Sequence, residues 1–294
     1  MKIAVTGASG FVGSHLVKAL APTEHSLKAL YHKKAADQKS NENIDIVFAD
    51  VHDLDSLNHA FENINVVYHL VGIIAETRRL TFDKTVINGT NNVVAACLKN
   101  NVKHIIYLSA LGTSENAETK YHQSKWIAEE TVRKSGIDYT ILRPSVIFGE
   151  GDGFVSMLTG MINKSPLTPV IGRGEFLLQP VYIDDLVYMM IDSLVNEKAG
   201  NKTIEIGGPK GLSYKEILAI LKRVLNKKRG NLYLPIWLMK LNAVILERIF
   251  KPSPITTDQL KMLEIGNTCD NKTLHELFEI ELTFFEEGLR KYVR

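Results

Sequence analysis

Cysteine is scarce: in 294 residues only Cys97 and Cys269 occur, far apart and with no CxxC or Cys/His ligand spacing. A disulfide framework and a cysteine-based zinc site are excluded as organising features, and no other metal centre is expected. No charge of one sign prevails either. The formal net charge of +2 marks no particular partner, and nucleic acid is not expected. An uninterrupted apolar run of spanning length is also missing. The most apolar stretch, LYLPIWLMKLNAVILERIF over 232–250, is broken by Pro235, Lys240, Asn242, Glu247 and Arg248, whereas a spanning helix takes roughly 20 predominantly apolar residues. It reads as a cap helix buried on one or two sides. Peripheral membrane contact through Trp237, Leu238 and Met239 is the alternative.

Low-complexity tracts and fixed-period repeats are missing too. The start, MKIAVTGASGFVG, runs from an apolar strand pattern straight into glycines and lacks the layout of an export signal, so a cytoplasmic protein is expected. The hydrophobic fraction of 45% and charged fraction of 23% are those of a globular chain.

What is present is alternation. Apolar runs of strand type begin at Lys2, Leu27, Asp45, Val66, His104 and Tyr139, with helical windows from about Phe11, Leu54, Lys84 and Tyr121 between them. Near-continuous apolar strands alternating with helices predict a doubly wound parallel sheet of α/β class over 1–150. Beyond Pro144 the chain is punctuated by glycine and proline, with helical windows from about Asp184, Ser213, Leu234 and Ile255. The stretch 151–294 reads as a smaller, mostly helical cap that supplies a substrate pocket, with the chain returning to the sheet.

TGASGFVGSHL places Gly7, Gly10 and Gly13 directly after the first strand and at the start of a helix. A pyrophosphate needs this arrangement: one glycine for the tight turn, one for close backbone approach, one for helix–strand packing, and a helix N-terminus offering N–H groups. The GxxGxxG loop resembles that of the short-chain dehydrogenase/reductase superfamily, extended and atypical branch. The resemblance implies a Rossmann-type fold and cofactor contacts from Gly7, Ser9, Gly10, Phe11 and Val12. It also implies that Asp50 and Val51 bracket an adenine, and that Leu70, Val71 and Gly72 line the cofactor. Asp50 also reads as a helix-capping companion of Asp53. At the end of the second strand, where a carboxylate would hold the 2′-hydroxyl of NAD, the sequence is YHKK. His32, Lys33 and Lys34 suit a 2′-phosphate, so NADP is expected and NAD is possible; a merely solvated basic loop is the alternative.

YHQSK sets Tyr121 and Lys125 four apart on one helical face. A cation beside the phenol is expected to lower its pKa and make Tyr121 an acid/base group. The pair resembles the YxxxK motif of the same superfamily, which implies that Lys125 also holds the nicotinamide ribose. Ser109 of YLSALG stands at the first position of the family's hydroxyl pair and Ala110 at the second, so Thr113 or Ser114 is the candidate substitute. Val86 stands where the family usually has Asn. Pro144 and Val146 of RPSV resemble the segment on which the nicotinamide rests.

The later segments, QPVYIDDLV, IEIGGPKGLSYKEIL and LPIWLMKL, are similar to the epimerase/dehydratase-like proteins related to the NADPH-binding accessory subunit of respiratory complex I. The resemblance implies one of three functions. The first is an NADP(H)-dependent oxidoreductase acting on a small or lipophilic carbonyl or quinone-like compound. The others are a nucleotide-sugar epimerase or dehydratase and a non-catalytic NADP(H)-binding accessory protein.

Overall fold

The computed structural model describes residues 1–32, 43–250, 253 and 255–293. Its central feature is a seven-stranded sheet that includes β1 (Lys2–Thr6), β2 (Ser26–Tyr31), β3 (Ile44–Phe48), β4 (Val66–His69), β5 (His104–Leu108) and β6 (Asp138–Pro144). The order is Lys202–Ile206, β6, β5, β4, β1, β2, β3. β1 to β6 pair in parallel throughout. Ile3, Ala4 and Val5 of β1 are wholly buried. Burial on both faces explains why the strands read as unbroken apolar runs.

Helices α1 (Phe11–Leu20), α2 (Leu54–Ala60), α3 (Gly89–Lys99) and α4 (Lys120–Arg133) connect the strands. The starts of α2 and α4 are set by short polar side chains. Asp53 accepts from the N–H groups of Asp55 and Ser56, and Thr119 accepts from that of His122; such caps each stabilise a helix by about 1 kcal/mol. Residues Phe82–Asn88 form a wider π-helical turn feeding α3, so the helical window expected from Lys84 divides into two kinds of winding. The core beneath includes Leu57, Phe61, Val67, Val93, Cys97 and Ile105.

The chain forms two compact units. The first is Met1–Arg143, Val187–Ile204 and Glu276–Phe278; the second is Pro144–Leu186, Glu205–His275 and Glu279–Arg294. α6 (Ile183–Asp192) and α10 (Lys272–Leu277) run from the second into the first. The second unit also carries α5 (Gly153–Lys164), α7 (Tyr214–Val224), α8 (Ile236–Ile249), α9 (Thr257–Ile265) and α11 (Phe285–Arg290). Leu167–Ile171 pairs in parallel with Gly230–Leu234. The elements not anticipated from sequence include the edge strand Lys202–Ile206, the paired strands Leu167–Ile171 and Gly230–Leu234, and α5, α10 and α11. α5 starts where Asp152, at the end of a glycine-rich turn, accepts from the Val155 N–H at 2.6 Å. The expectation of a cap helix buried on one or two sides is corrected for α8: only Ala243 of its residues is buried.

The sequence of connections turns around at β1. From β1 the chain adds β2 and β3 on one side, then crosses back to add β4, β5 and β6 on the other. Such a reversal opens a crevice at the carboxyl ends of β1 and β4. Gly7 there has φ +74°, open to glycine at little strain, and a Cβ on Gly13 would lie 2.1 Å from the Gly7 carbonyl oxygen. α1 therefore lies on the turn only because residue 13 lacks a side chain. Gly13→Ala is expected to lower unfolding free energy by about 3 kcal/mol, as in overpacked cores; urea denaturation checks it, and an unchanged midpoint would refute the contact.

Candidate functional site

The crevice is built from backbone. A Cβ on Gly7 would meet the Val71 nitrogen at 3.2 Å and the Leu70 carbonyl carbon at 3.3 Å, so the glycine turn lies directly against the end of β4. Ser9 and Gly10 are exposed, and Phe11 and Val12 are half-buried. Gly10 caps α1 without a side-chain hydrogen bond, and the first turn of the helix carries no acid. N–H groups and the positive end of the helix dipole thus face a position where an anion is favoured. Glycine at 7 and 13, the uncapped helix and the exposed Gly72 form a cradle whose shape and polarity fit a dinucleotide.

Lys125 reaches the same strand ends from α4. Its side chain is only 4% exposed. The ammonium donates to the Leu108 carbonyl at 2.8 Å and the Tyr107 hydroxyl at 3.3 Å, and lies 4.8 Å from the centre of the Tyr107 ring. It also lies just behind Gly72, where an added Cβ would be 3.2 Å from Nζ. Burial pushes Lys125 down to about 8, opposed by the charge of Glu129 one turn along. The lysine is therefore cationic at neutral pH and close to titrating.

Tyr121 departs from expectation. It packs its ring 6.0 Å from Phe82 of the π-helical turn and 5.2 Å from His122. Burial raises its phenol to about 12. The expected lowering by Lys125 is overturned, because the ammonium is turned toward Tyr107 and Leu108.

His69, at the end of β4, is fully buried between Thr6 and Thr90, with Nδ1 2.9 Å from the Thr6 hydroxyl and Nε2 3.0 Å from that of Thr90. Thr90 donates to the Val86 carbonyl at 2.6 Å, which assigns the ring proton to Nε2. Burial first, then the charge of Lys125, drive His69 down to about 3, so it is neutral. Val86 itself is buried in the π-helical turn. His69, Tyr107 and Glu129 were not singled out from sequence. Each is a buried polar residue within a strand or helix pattern, and only burial reveals its role.

Ser109 is buried and donates to the Thr113 hydroxyl at 3.4 Å, so the loop brings a second hydroxyl beside it, whereas Ser114 is exposed. At the far end of the crevice, His32 Nδ1 lies 2.9 Å from Asp50 Oδ2, and His52 Nδ1 lies 2.8 Å from Asp50 Oδ1. The end of β2 has no carboxylate of its own, but β3 delivers Asp50 to its neighbour. Asp53 is the helix cap, and Asp50 accompanies it, its N–H donating to the Ser56 hydroxyl in the first turn of α2 at 3.1 Å. Val51 is buried, and its carbonyl accepts from Asn92 at 2.8 Å. Lys33 and Lys34 lie outside the described residues. Pro144 and Val146 fall in the second unit, where the Val146 carbonyl accepts from the Val181 N–H at 2.9 Å. Among the described residues no cluster of His, Cys, Asp and Glu could hold a metal ion, and no helix is long and apolar enough to cross a membrane.

α4 is fixed by Glu129, whose carboxylate has no solvent exposure. Arg143 of β6 grips it with two hydrogen bonds, at 2.8 and 2.7 Å, and Arg133 bonds it from the next turn. Replacing Glu129 by Ala leaves two guanidiniums facing each other, with Arg133 still hydrogen-bonded to Glu130 and Thr203. The expected loss is about 3 kcal/mol, near the low end for breaking a buried pair. Thermal unfolding checks it; a variant as stable as the parent would show the clamp to be dispensable.

A family model described as NAD(P)H-binding matches residues 7–159. The chain is 30% identical over 259 residues to N-acetyl-alpha-D-glucosaminyl-diphospho-ditrans,octacis-undecaprenol 4-epimerase of Escherichia coli O157:H7, covering 79% of this chain and 75% of that protein. It is 27% identical over 225 residues to the mitochondrial NADH dehydrogenase [ubiquinone] 1 alpha subcomplex subunit 9 of Dictyostelium discoideum, covering 74% of this chain but only 62% of that subunit. In fold it is similar to UDP-glucose 4-epimerase of Thermotoga maritima, with TM-score 0.75, 22% identity, and 99% and 96% of the two chains covered. The glycine cradle, the buried Lys125 and these likenesses agree: the chain belongs to the NAD(P)H-binding family of extended short-chain dehydrogenase/reductase-like proteins.

Proposed function

We propose that the protein is a reductase that takes NADPH in preference to NADH and reduces a small or lipophilic carbonyl or quinone-like acceptor. The placement of Tyr121 on α4, one turn before Lys125, whose ammonium reaches the end of β5, carries the reading. With its phenol raised to about 12 by burial, Tyr121 is protonated at neutral pH and serves as a proton donor. Reducing a carbonyl needs a proton at the developing oxyanion, whereas oxidising an alcohol, the opening step of an epimerisation, needs a base. The bound dinucleotide supplies the hydride. Lys125 is suited to hold a ribose hydroxyl through its ammonium, and the N-terminal turn of α1 to hold the pyrophosphate. Ser109 and Thr113 are the hydroxyls available near the β5 end to orient a substrate oxygen, replacing the one lost at Ala110.

The preference for NADPH rests on the absence of an acid in YHKK and on the pairing of Asp50 with His32 and His52, which engages that carboxylate. A second reading, epimerisation of a sugar on a diphosphate carrier, is supported by the 30% identical relative. It requires Tyr121 to act first as a base, which its raised pKa opposes.

Three outcomes are expected. Tyr121→Phe removes turnover in a screen of aldehydes and quinones and leaves dinucleotide affinity within a few-fold; undiminished turnover, with chemistry limiting the rate, would acquit Tyr121. Lys125 is charged below its pKa of about 8, so affinity for the reduced dinucleotide falls as pH rises through that value. Lys125→Met flattens the profile and weakens binding by roughly 1.5 to 3 kcal/mol, the worth of a charge-assisted hydrogen bond; a pH-independent parent would remove Lys125 from the site. In fluorescence titrations NADPH binds more tightly than NADH, and Lys33→Ala with Lys34→Ala narrows the gap. Equal affinity in the parent would end the NADPH assignment.

A further inference from the structure

Helix α8 presents its apolar face to solvent. Trp237, Leu241, Val244, Ile245 and Ile249 are all exposed, Trp237 at 65% and Ile249 at 62%. With 3.6 residues per turn these five fall within one arc of about 140°. The opposite flank is tied down: Lys240 pairs with Glu264 of α9 at 2.8 Å, and Glu247 accepts from the Thr257 N–H at 2.8 Å. Those two contacts hold the helix on its polar side and leave the apolar arc outward. Tyr233, on the strand leading into α8, and Phe250, just after it, are exposed as well.

The charge around this face is one-sided. From Lys222 to Lys251 the sequence has eight Lys and Arg and a single acid, Glu247, although the whole chain carries only +2. The remainder of the chain is therefore net negative. Lys222, Arg223 and Lys240 are held by partners within the unit, while Lys227, Lys228 and Arg248 are exposed. Such a face suits an anionic surface. It does not suit a second copy of itself, since two like-charged patches would be pressed together. Aromatic and aliphatic side chains on one helical arc, with cations beside them, are what an interfacial helix presents to headgroups and upper acyl chains.

We propose that α8, with Tyr233 and the basic turn before it, docks the protein peripherally on a bilayer containing anionic lipid. The test is flotation of the full chain with vesicles of phosphatidylcholine alone and of phosphatidylcholine mixed with phosphatidylglycerol, at low and high salt. The parent is expected to float with the mixed vesicles, weakly with the neutral ones, and less as salt rises. Leu241→Glu with Ile245→Glu abolishes flotation. Lys227→Glu with Lys228→Glu lowers it at least about tenfold, two reversed charges near an anionic surface, with the melting temperature and dinucleotide binding of the parent retained. Should the apolar double variant not fold, Trp237→Ser is read in the same assay and is expected to weaken flotation. A parent that stays with neither vesicle, or that binds both equally, overturns the proposal. So does a parent dimer in sedimentation that Trp237→Ser converts to monomer, which would mean that this face meets a second copy.

Discussion

A carboxylate sealed from water organises this site. Glu129 is bound by Arg143 from β6 and by Arg133 from its own helix, with Trp126 packed against both guanidiniums at 6.0 and 5.1 Å. Removing an ion from water is expensive, and only multiple, well-aligned hydrogen bonds offset it. The clamp therefore tolerates one arrangement of α4 on the sheet. Because Tyr121 and Lys125 lie two turns and one turn before Glu129, their positions follow from it. The same carboxylate favours the charged form of Lys125 against burial.

Around that helix the polar interior is arranged so that charge stays with one group. His69, which could compete for a proton, is kept neutral and donates its one ring N–H to Thr90. Tyr107 is held protonated by burial and offers Lys125 both its oxygen and its ring. The ammonium is thereby the one cation at the ends of β4 and β5 among the groups described in the site. On a doubly wound sheet those ends form part of the crevice where ligands bind.

The fold was largely legible because both signals are local. Apolar runs of five or six residues mark strands buried on both faces, and the glycines at 7, 10 and 13 mark the turn that a phosphate-binding helix start requires. The edge strand Lys202–Ile206 was not, since KTIEI alternates rather than running apolar, and α5 was hidden between glycine-rich turns. Within the site, spacing placed Tyr121 and Lys125 on one helix but not their surroundings. The upward shift of Tyr121 and the downward shift of Lys125 both come from burial, which no spacing reveals. The meeting of Asp50 with His32 was likewise hidden, because it depends on β3 lying beside β2, eighteen positions away along the chain. The outward apolar face of α8 inverts the usual inference from an apolar helix to a core.

Gly72 has a bearing on reactivity. An exposed glycine in front of a buried amine is an opening without a side chain to close it, and the amine behind it is about half neutral near pH 8. Ordinary lysines at that pH are almost wholly protonated and inert as nucleophiles. Lys125 is thus the amine in this site best disposed to attack an electrophilic carbon entering over Gly72. Were the protein the reductase proposed above, an aldehyde held over Gly72 would meet this amine as a nucleophile as well as Tyr121 as a proton donor.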